Sequence, residues 1–175
     1  MNSNLFYPAP SELPILIKPP RGNDEILTLL SATNWCRVLR LRSDRLVRVG
    51  AFWLFGFLDE AHYLAQQESS REGAYWHALI HRSEGDFSNS LYWFNRVGVH
   101  PLYKILQVQA KQVTEGQRST QWRGLLECGE WSPRQFVVLC ERTMKSGFGP
   151  LEILQQVAQL EYNLLMQFIL SKAKI

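Results

Sequence analysis

The stretch 74-AYWHALIHRSEGDFSNSLYWFNRVGVHP-101 decides the fold. Apolar residues recur at helical spacing on both sides of Glu84-Gly85-Asp86. A glycine can take the left-handed conformation that ends a helix, and an aspartate can cap the next with its side chain. The spacing therefore predicts one helix from Glu72 to about Ser83 that stops at Gly85, and a second from Asp86 to near Gly98. Pro101 opens a third, running to about Val113. The same stretch holds three His, two Arg and two carboxylates among large aromatics. Either they make a chemical site, or they are the charged edges of an aromatic helical hairpin.

The helical period extends outward from this stretch. Upstream, Ser43 or Asp44 caps a predicted long helix to about Glu68, with Leu46, Val47, Gly50, Trp53, Leu54, Phe57, Leu58, Ala61, Leu64 and Ala65 on one broad face. From Val49 to Leu58 it is apolar all round, which marks a central helix. Asn23 or Asp24 caps a short helix through Ser31, and residues 32–42 show no decisive period. Downstream, a short segment surrounds Trp122. Ser132 then stands as N-cap before Pro133 at the first helical position, and Gly147 ends that helix. Pro150 opens a last helix running nearly to the end of the sequence. No strand alternation appears. The expectation is an all-α, single-domain bundle of six or seven helices over residues 23–175, preceded by an extended Pro-rich arm over 1–22. Five of the eight prolines fall in the first 20 residues, where they exclude a helix.

Composition bounds the function. With 175 residues, 46% of them hydrophobic and 12% aromatic, the chain can bury a full core. The net charge is +3, without a long run of like charges, so nucleic acid is not an expected partner. Arg37, Arg40, Arg42, Arg45 and Arg48, with Trp35 nearby, read as solvated helix edges rather than a binding surface. The three Cys (Cys36, Cys128, Cys140) are too widely spaced for a CxxC or zinc motif and read as free thiols in a reducing compartment. The start lacks the pattern of a signal peptide. The longest apolar run is ten residues, against about 20 needed to cross a bilayer. These features predict a soluble, cytoplasmic protein with no membrane association, with room for a homodimer.

Polar residues stand where the period expects apolar ones. On the last helix Leu154, Val157, Ala158, Leu164, Leu165 and Phe168 share a face, and Glu161 falls in its middle. A carboxylate there is buried and must be paired or neutralised. Asp59, His62 and Gln66 form one stripe, at i, i+3 and i+7; His77, His81 and Glu84 form another. Asn89, Tyr92, Trp93 and Arg96 lie opposite the apolar stripe of Phe87, Leu91, Phe94 and Val97. If these strips converge they line one pocket. The bland alternative assigns each residue a structural place: Asp86 as a cap, Arg82 in solvent or paired with Glu84, Arg96 neutralising Glu161, His100 in a turn.

The hairpin resembles a single tetratricopeptide-type unit, although such repeats stack at least three deep. In addition, "FLDEAHYLAQ", "YWHALIHRSEGDFSNSLYWFNRVGVHP" and "LEYNLL" together resemble a family of uncharacterised bacterial and fungal proteins. Its pattern has an acidic residue and His before a Gln, then Trp-His, His-Arg, Glu-Gly-Asp, Asn, Tyr-Trp and Arg-Val-Gly-x-His-Pro. The likeness is close from Leu58 to Pro101 and loose in the last helix. It departs at Ala61, where the pattern has Ser, and at Ser83, where it usually has Arg. The resemblance implies that these residues belong to a shared signature; it assigns them no role.

Three functions compete. In the first, a pocket binds a small polar or anionic molecule, with His77, His81 and Glu161 as catalytic candidates for proton transfer. Asp59, His62, Gln66, Trp76, Glu84, Asn89, Tyr92, Trp93 and Arg96 would line it, with Arg96 holding an anionic group. No nucleophile motif, phosphate loop or cofactor fingerprint is present, so the reaction and any cofactor stay open. The second is a His/carboxylate metal site built from His62, His77 and His81 with Glu84 or Glu161. It ranks lower because neither the Glu-x-x-His pairs of di-iron bundles nor the zinc-protease motif occurs, and no residue is assigned as a metal ligand. The third is a protein-interaction module without catalysis.

Overall fold

The computed structural model describes residues 21–115, 129–147, 149 and 151–175. The expected arm, apart from Arg21 and Gly22, lies outside the described residues, as do the segment around Trp122, Cys128 and Pro150. The described residues form nine helices and no strand, an all-α fold as the periodicity predicts, with more helices than the expected six or seven. They are α1 (Asp24–Ala32), α2 (Trp35–Leu39), α3 (Arg45–Leu54), α4 (Leu58–Gln66), α5 (Arg71–Glu84), α6 (Phe87–Val97), α7 (Leu102–Val113), α8 (Pro133–Ser146) and α9 (Leu151–Ala173). One isolated antiparallel bridge, Leu41 to Lys174, ties the ambiguous segment to the end of α9.

The long helix expected from Ser43 to Glu68 is two helices, α3 and α4. The break is a Schellman turn. Gly56 adopts φ 75°, its N–H donates to the Trp53 carbonyl, and the Phe57 N–H reaches back 2.9 Å to the Phe52 carbonyl. The rings of Phe52 and Phe57 close the turn edge to face, 6.3 Å apart. Both flanks are apolar, so the hydrophobic period runs through the break and hides it; Gly56 was the only local signal.

Other boundaries follow the capping chemistry. Asn23 caps α1 by accepting from the Ile26 N–H, Asp86 caps α6 by accepting from Asn89, and Ser132 caps α8 with Pro133 inside it. Asp44 occupies the N-cap position of α3 without a side-chain hydrogen bond. Gly85 and Gly147 end α5 and α8 in the left-handed region.

The innermost helix is α5. Every residue from Gly73 to Ser83 is buried. It lies between α4 and α6 and also touches α3, while α9 packs on α3 and α7, and α8 packs on α6. Trp53, Trp76 and Tyr162 stack into one block where α3, α5 and α9 meet, with Trp53 and Tyr162 rings 5.2 Å apart. Trp76 is fully buried there, so the residue expected as a pocket wall is core. Removing such a ring typically costs about 3–5 kcal/mol. Two buried hydroxyls pin the layers: Ser83 accepts from Trp53 Nε1 at 3.0 Å, and Ser90 on α6 donates to the Ala78 carbonyl at 2.8 Å.

Gly56→Ala should destabilise the fold by about 1–2 kcal/mol, the strain of a left-handed Cβ. Urea unfolding checks this, and an unchanged midpoint would show that the turn can relax.

Candidate functional site

A buried helix normally is apolar all round; α5 instead carries polar groups on two opposite faces. His77, His81 and Glu84 share one. Tyr75 and Arg82 share the other, roughly 145° around at 3.6 residues per turn. The two faces meet different neighbours and do different things.

The Tyr75–Arg82 face turns to α8 and α9. Arg82 Nη2 lies 2.7 Å from Glu161 Oε2, and both side chains are almost wholly buried. Tyr75 donates its hydroxyl to Glu161 Oε1 at 2.8 Å. The guanidinium also sits over the Phe136 ring, 4.9 Å from its centroid. Burial works against the Arg82 charge, but the Glu161 carboxylate outweighs it and raises the pKa. Burial, reinforced by Glu161, also holds the Tyr75 phenol well above its ordinary value. Burial pushes the neighbouring Cys140 thiol up to about 12, which leaves it inert at neutral pH.

This geometry revises several expectations. Glu161 is buried as its place on the apolar face demands, but it meets Arg82 and Tyr75 rather than a histidine or Arg96. Arg82 is an interior residue, not a solvated one paired with Glu84. Tyr75 went unnoticed in the sequence, although its position seven residues before Arg82 places both on one face. The Glu161 cluster is a neutralised ion pair suited to holding α5 against α9.

The His face turns to α4 and α6. His62 from α4 meets His77 and His81 edge to face, with ring centroids 4.7 and 5.0 Å away. His77 and His81 stack one turn apart. One nitrogen from each of the three rings lies within 4.8 Å of the others. His77 and His81 are buried, and His62 is partly exposed. From α6, Trp93 lies flat on His77, with centroids 3.9 Å apart and planes 4° from parallel.

Two of the three imidazoles have an outer polar contact. His81 Nδ1 lies 3.2 Å from Glu84 Oε2, obliquely rather than as an aligned hydrogen bond. His62 Nδ1 lies 3.4 Å from the Gln66 amide nitrogen. His77 Nδ1 is buried and has no hydrogen-bond partner. Burial, then the neighbouring imidazoles His62 and His81, lowers the His77 pKa to about 4. Burial also lowers His81, against the pull of Glu84. Two of the three rings are therefore neutral near pH 7, with lone pairs available, and are poor general acids there.

The remaining candidates divide. Asp59 turns away from the histidines: its side chain is 95% exposed and stands 4.0 Å from Arg21. Gln66, Glu84, Trp93 and, through Trp93, Arg96 border the imidazoles. Tyr92 packs edge-on against Trp93 at the surface, and Asn89 sits half-buried at the start of α6, bound to its Asp86 cap. His100 is a buried cap, accepting from the Leu102 N–H at Nδ1. A cavity of about 210 Å³ opens elsewhere, between Leu91, Phe94, Tyr103 and Pro133, and contains none of the imidazoles. In the basic cluster Arg45 and Arg48 pair with Glu68 and Asp44, and Trp35 is buried in the core.

No family model, curated protein or solved structure matches the chain. No described helix is long and apolar enough to cross a membrane.

Two outcomes test this division of faces. Arg82→Met and Glu161→Gln should each cost about 3–5 kcal/mol by stranding a buried partner, while the double variant should cost much less than their sum; urea unfolding of all three measures it. Stability should also fall with acidity. His77, His81 and His100 have folded pKa values below the ordinary 6.5, to about 4 for His77 and His100. Above pH 6.5 these groups are neutral in both states and give no slope. Below it the unfolded chain takes up protons that the folded chain refuses, so the urea midpoint should drop from pH 7 to pH 5.

Proposed function

We propose that the protein is a helical-bundle metal-binding protein that holds one divalent transition-metal ion on His62, His77 and His81. The reading rests on one observation: three nitrogens within 4.8 Å of one another, from two helices, on rings that include two buried ones. Imidazole suits zinc, copper, nickel or iron, and the buried thiol Cys140 on α8 lies away from the imidazoles, beside Arg82. Metal–nitrogen bonds of about 2.0–2.1 Å need donors about 3.4 Å apart at tetrahedral angles, so the rings would close by roughly an ångström. The lowered pKa values of His77 and His81 favour this, because a ligand that is already neutral loses no proton when it binds.

The outer contacts also fit. A carboxylate behind a ligating imidazole fixes its tautomer and raises its basicity. Glu84 stands in that place behind His81 Nδ1, which leaves Nε2 for the ion. Gln66 does the same for His62 once its amide turns to present oxygen, a rotation that exchanges two nearly isosteric atoms. Three protein ligands leave a position open. That is the pattern of sites that polarise a substrate or activate water, in contrast to closed four-ligand structural sites. A small polar or anionic molecule would bind at that position. The free thiols of Cys36 and Cys140 suit a cytoplasmic setting.

Titrating metal-free protein with zinc or cobalt(II), followed by calorimetry, should give one ion per chain. His77→Ala and His81→Ala should abolish tight binding while circular dichroism stays helical, and Glu84→Gln should weaken it by about 10–100-fold. Absence of stoichiometric binding, or binding indifferent to all three substitutions, would contradict the assignment.

A further inference from the structure

We propose that the cavity between α6, α7 and the start of α8 is a second ligand site, separate from the imidazoles. It takes a small aromatic acid of the hydroxybenzoate kind, with the ring inside, the carboxylate at Arg134 and a ring oxygen at the Tyr103 hydroxyl.

Size sets the first limit. The cavity measures about 210 Å³. A space of about 150 Å³ accepts benzene, whereas sites for drug-sized molecules run to about 300–1,000 Å³. The part of a ligand held here is therefore one six-membered ring with short substituents, not a nucleotide or a dinucleotide.

The walls set the second limit. Leu91 and Phe94 from α6, Tyr103 from α7 and Pro133 from α8 present apolar surface to the cavity. Phe94 and Tyr103 are buried, and both rest edge-on against the Tyr75 ring, with centroids 5.4 and 6.0 Å away. Rings anchored in this way on the core hold the space open instead of folding into it.

The polar groups set the third. No carboxylate lines the cavity, and the one charged residue that does is Arg134, exposed at its rim. Arg134 stands in the first turn of α8, which has no acidic residue, so the positive end of the helix dipole adds to its charge. A carboxylate matches that sign, and a guanidinium binds it in a planar fork. At the inner end Tyr103 is only 9% exposed, and its hydroxyl is buried without a hydrogen-bond partner. Burial, reinforced by Glu161, holds the phenol above its ordinary value, so it keeps its proton and is a donor in need of an acceptor. Buried polar groups are normally satisfied. An oxygen on the far side of the bound ring would satisfy this one.

The test uses the metal-free full chain, so that a carboxylate on a bound ion is not mistaken for this site. 4-Hydroxybenzoate, benzoate and 4-hydroxybenzamide are titrated separately and followed by calorimetry. 4-Hydroxybenzoate should bind once per chain, with benzoate and the amide each about tenfold weaker, as loss of one hydrogen bond or charge contact implies. Tyr103→Phe should erase the preference for 4-hydroxybenzoate over benzoate. Arg134→Gln, a surface change, should erase the preference for the acid over the amide. Leu91→Trp, which fills the cavity from α6, should abolish binding of all three while circular dichroism stays helical. If nothing binds the wild type, if Leu91→Trp binds as before, or if the amide binds as tightly as the acid, the inference fails. Equal affinity of 4-hydroxybenzoate and benzoate for the wild type would also overturn it, because Tyr103 would then make no bond to the ligand. Loss of binding in His77→Ala would place the ligand at the imidazoles instead.

Discussion

The structure depends on a helix that is buried from Gly73 to Ser83 and yet carries ionisable groups on two faces. Interior charge is tolerated only where it is paired, and interior polar atoms only where they find partners. On one face the charges are paired inside the chain, Arg82 with Glu161, and Tyr75 donates to the carboxylate, although Arg82 Nε and Nη1 find no hydrogen-bond partner. That pairing fixes how α9 lies on α5, because a shift of one residue would carry Glu161 away from the guanidinium. An apolar substitute of similar volume could pack there equally well, so the value of the pair lies in orientation more than in net stability.

On the opposite face the condition is not fully met. His77 is buried with one ring nitrogen lacking a partner, and the three imidazoles can only repel one another if they take up protons. Aromatic packing offsets part of the cost, with Trp93 covering His77 as a parallel plate. A cation bound to the lone pairs would complete it. The two faces differ in charge: one holds an ion pair neutralised within the chain, the other imidazoles that burial keeps neutral.

Much of this was legible in the sequence, for reasons that can be named. The α5–α6 hairpin follows from Gly85 and Asp86, each with one conformational task. Burial of Glu161 follows from its apolar neighbours on the last helix. The stripe of His77, His81 and Glu84 follows from helical spacing. Its meeting with His62 does not, because spacing within a helix says nothing about which helix packs on which face. For the same reason Glu161 could not be matched with Arg82 in advance. The break at Gly56 stayed hidden because a Schellman turn flanked by phenylalanines keeps the hydrophobic period intact. Asp59 shares a stripe with His62 but stands at the first turn of α4, where it faces water and Arg21.

The central claim is that α5 presents its His face to a metal ion. X-ray absorption at the metal edge of the zinc-loaded chain tests it most directly, because multiple scattering from imidazole rings counts histidine ligands. The expected spectrum shows three imidazoles and one oxygen donor. A spectrum of water and carboxylate oxygens alone, or one containing a sulfur ligand, would place the ion elsewhere and leave the three rings as packing.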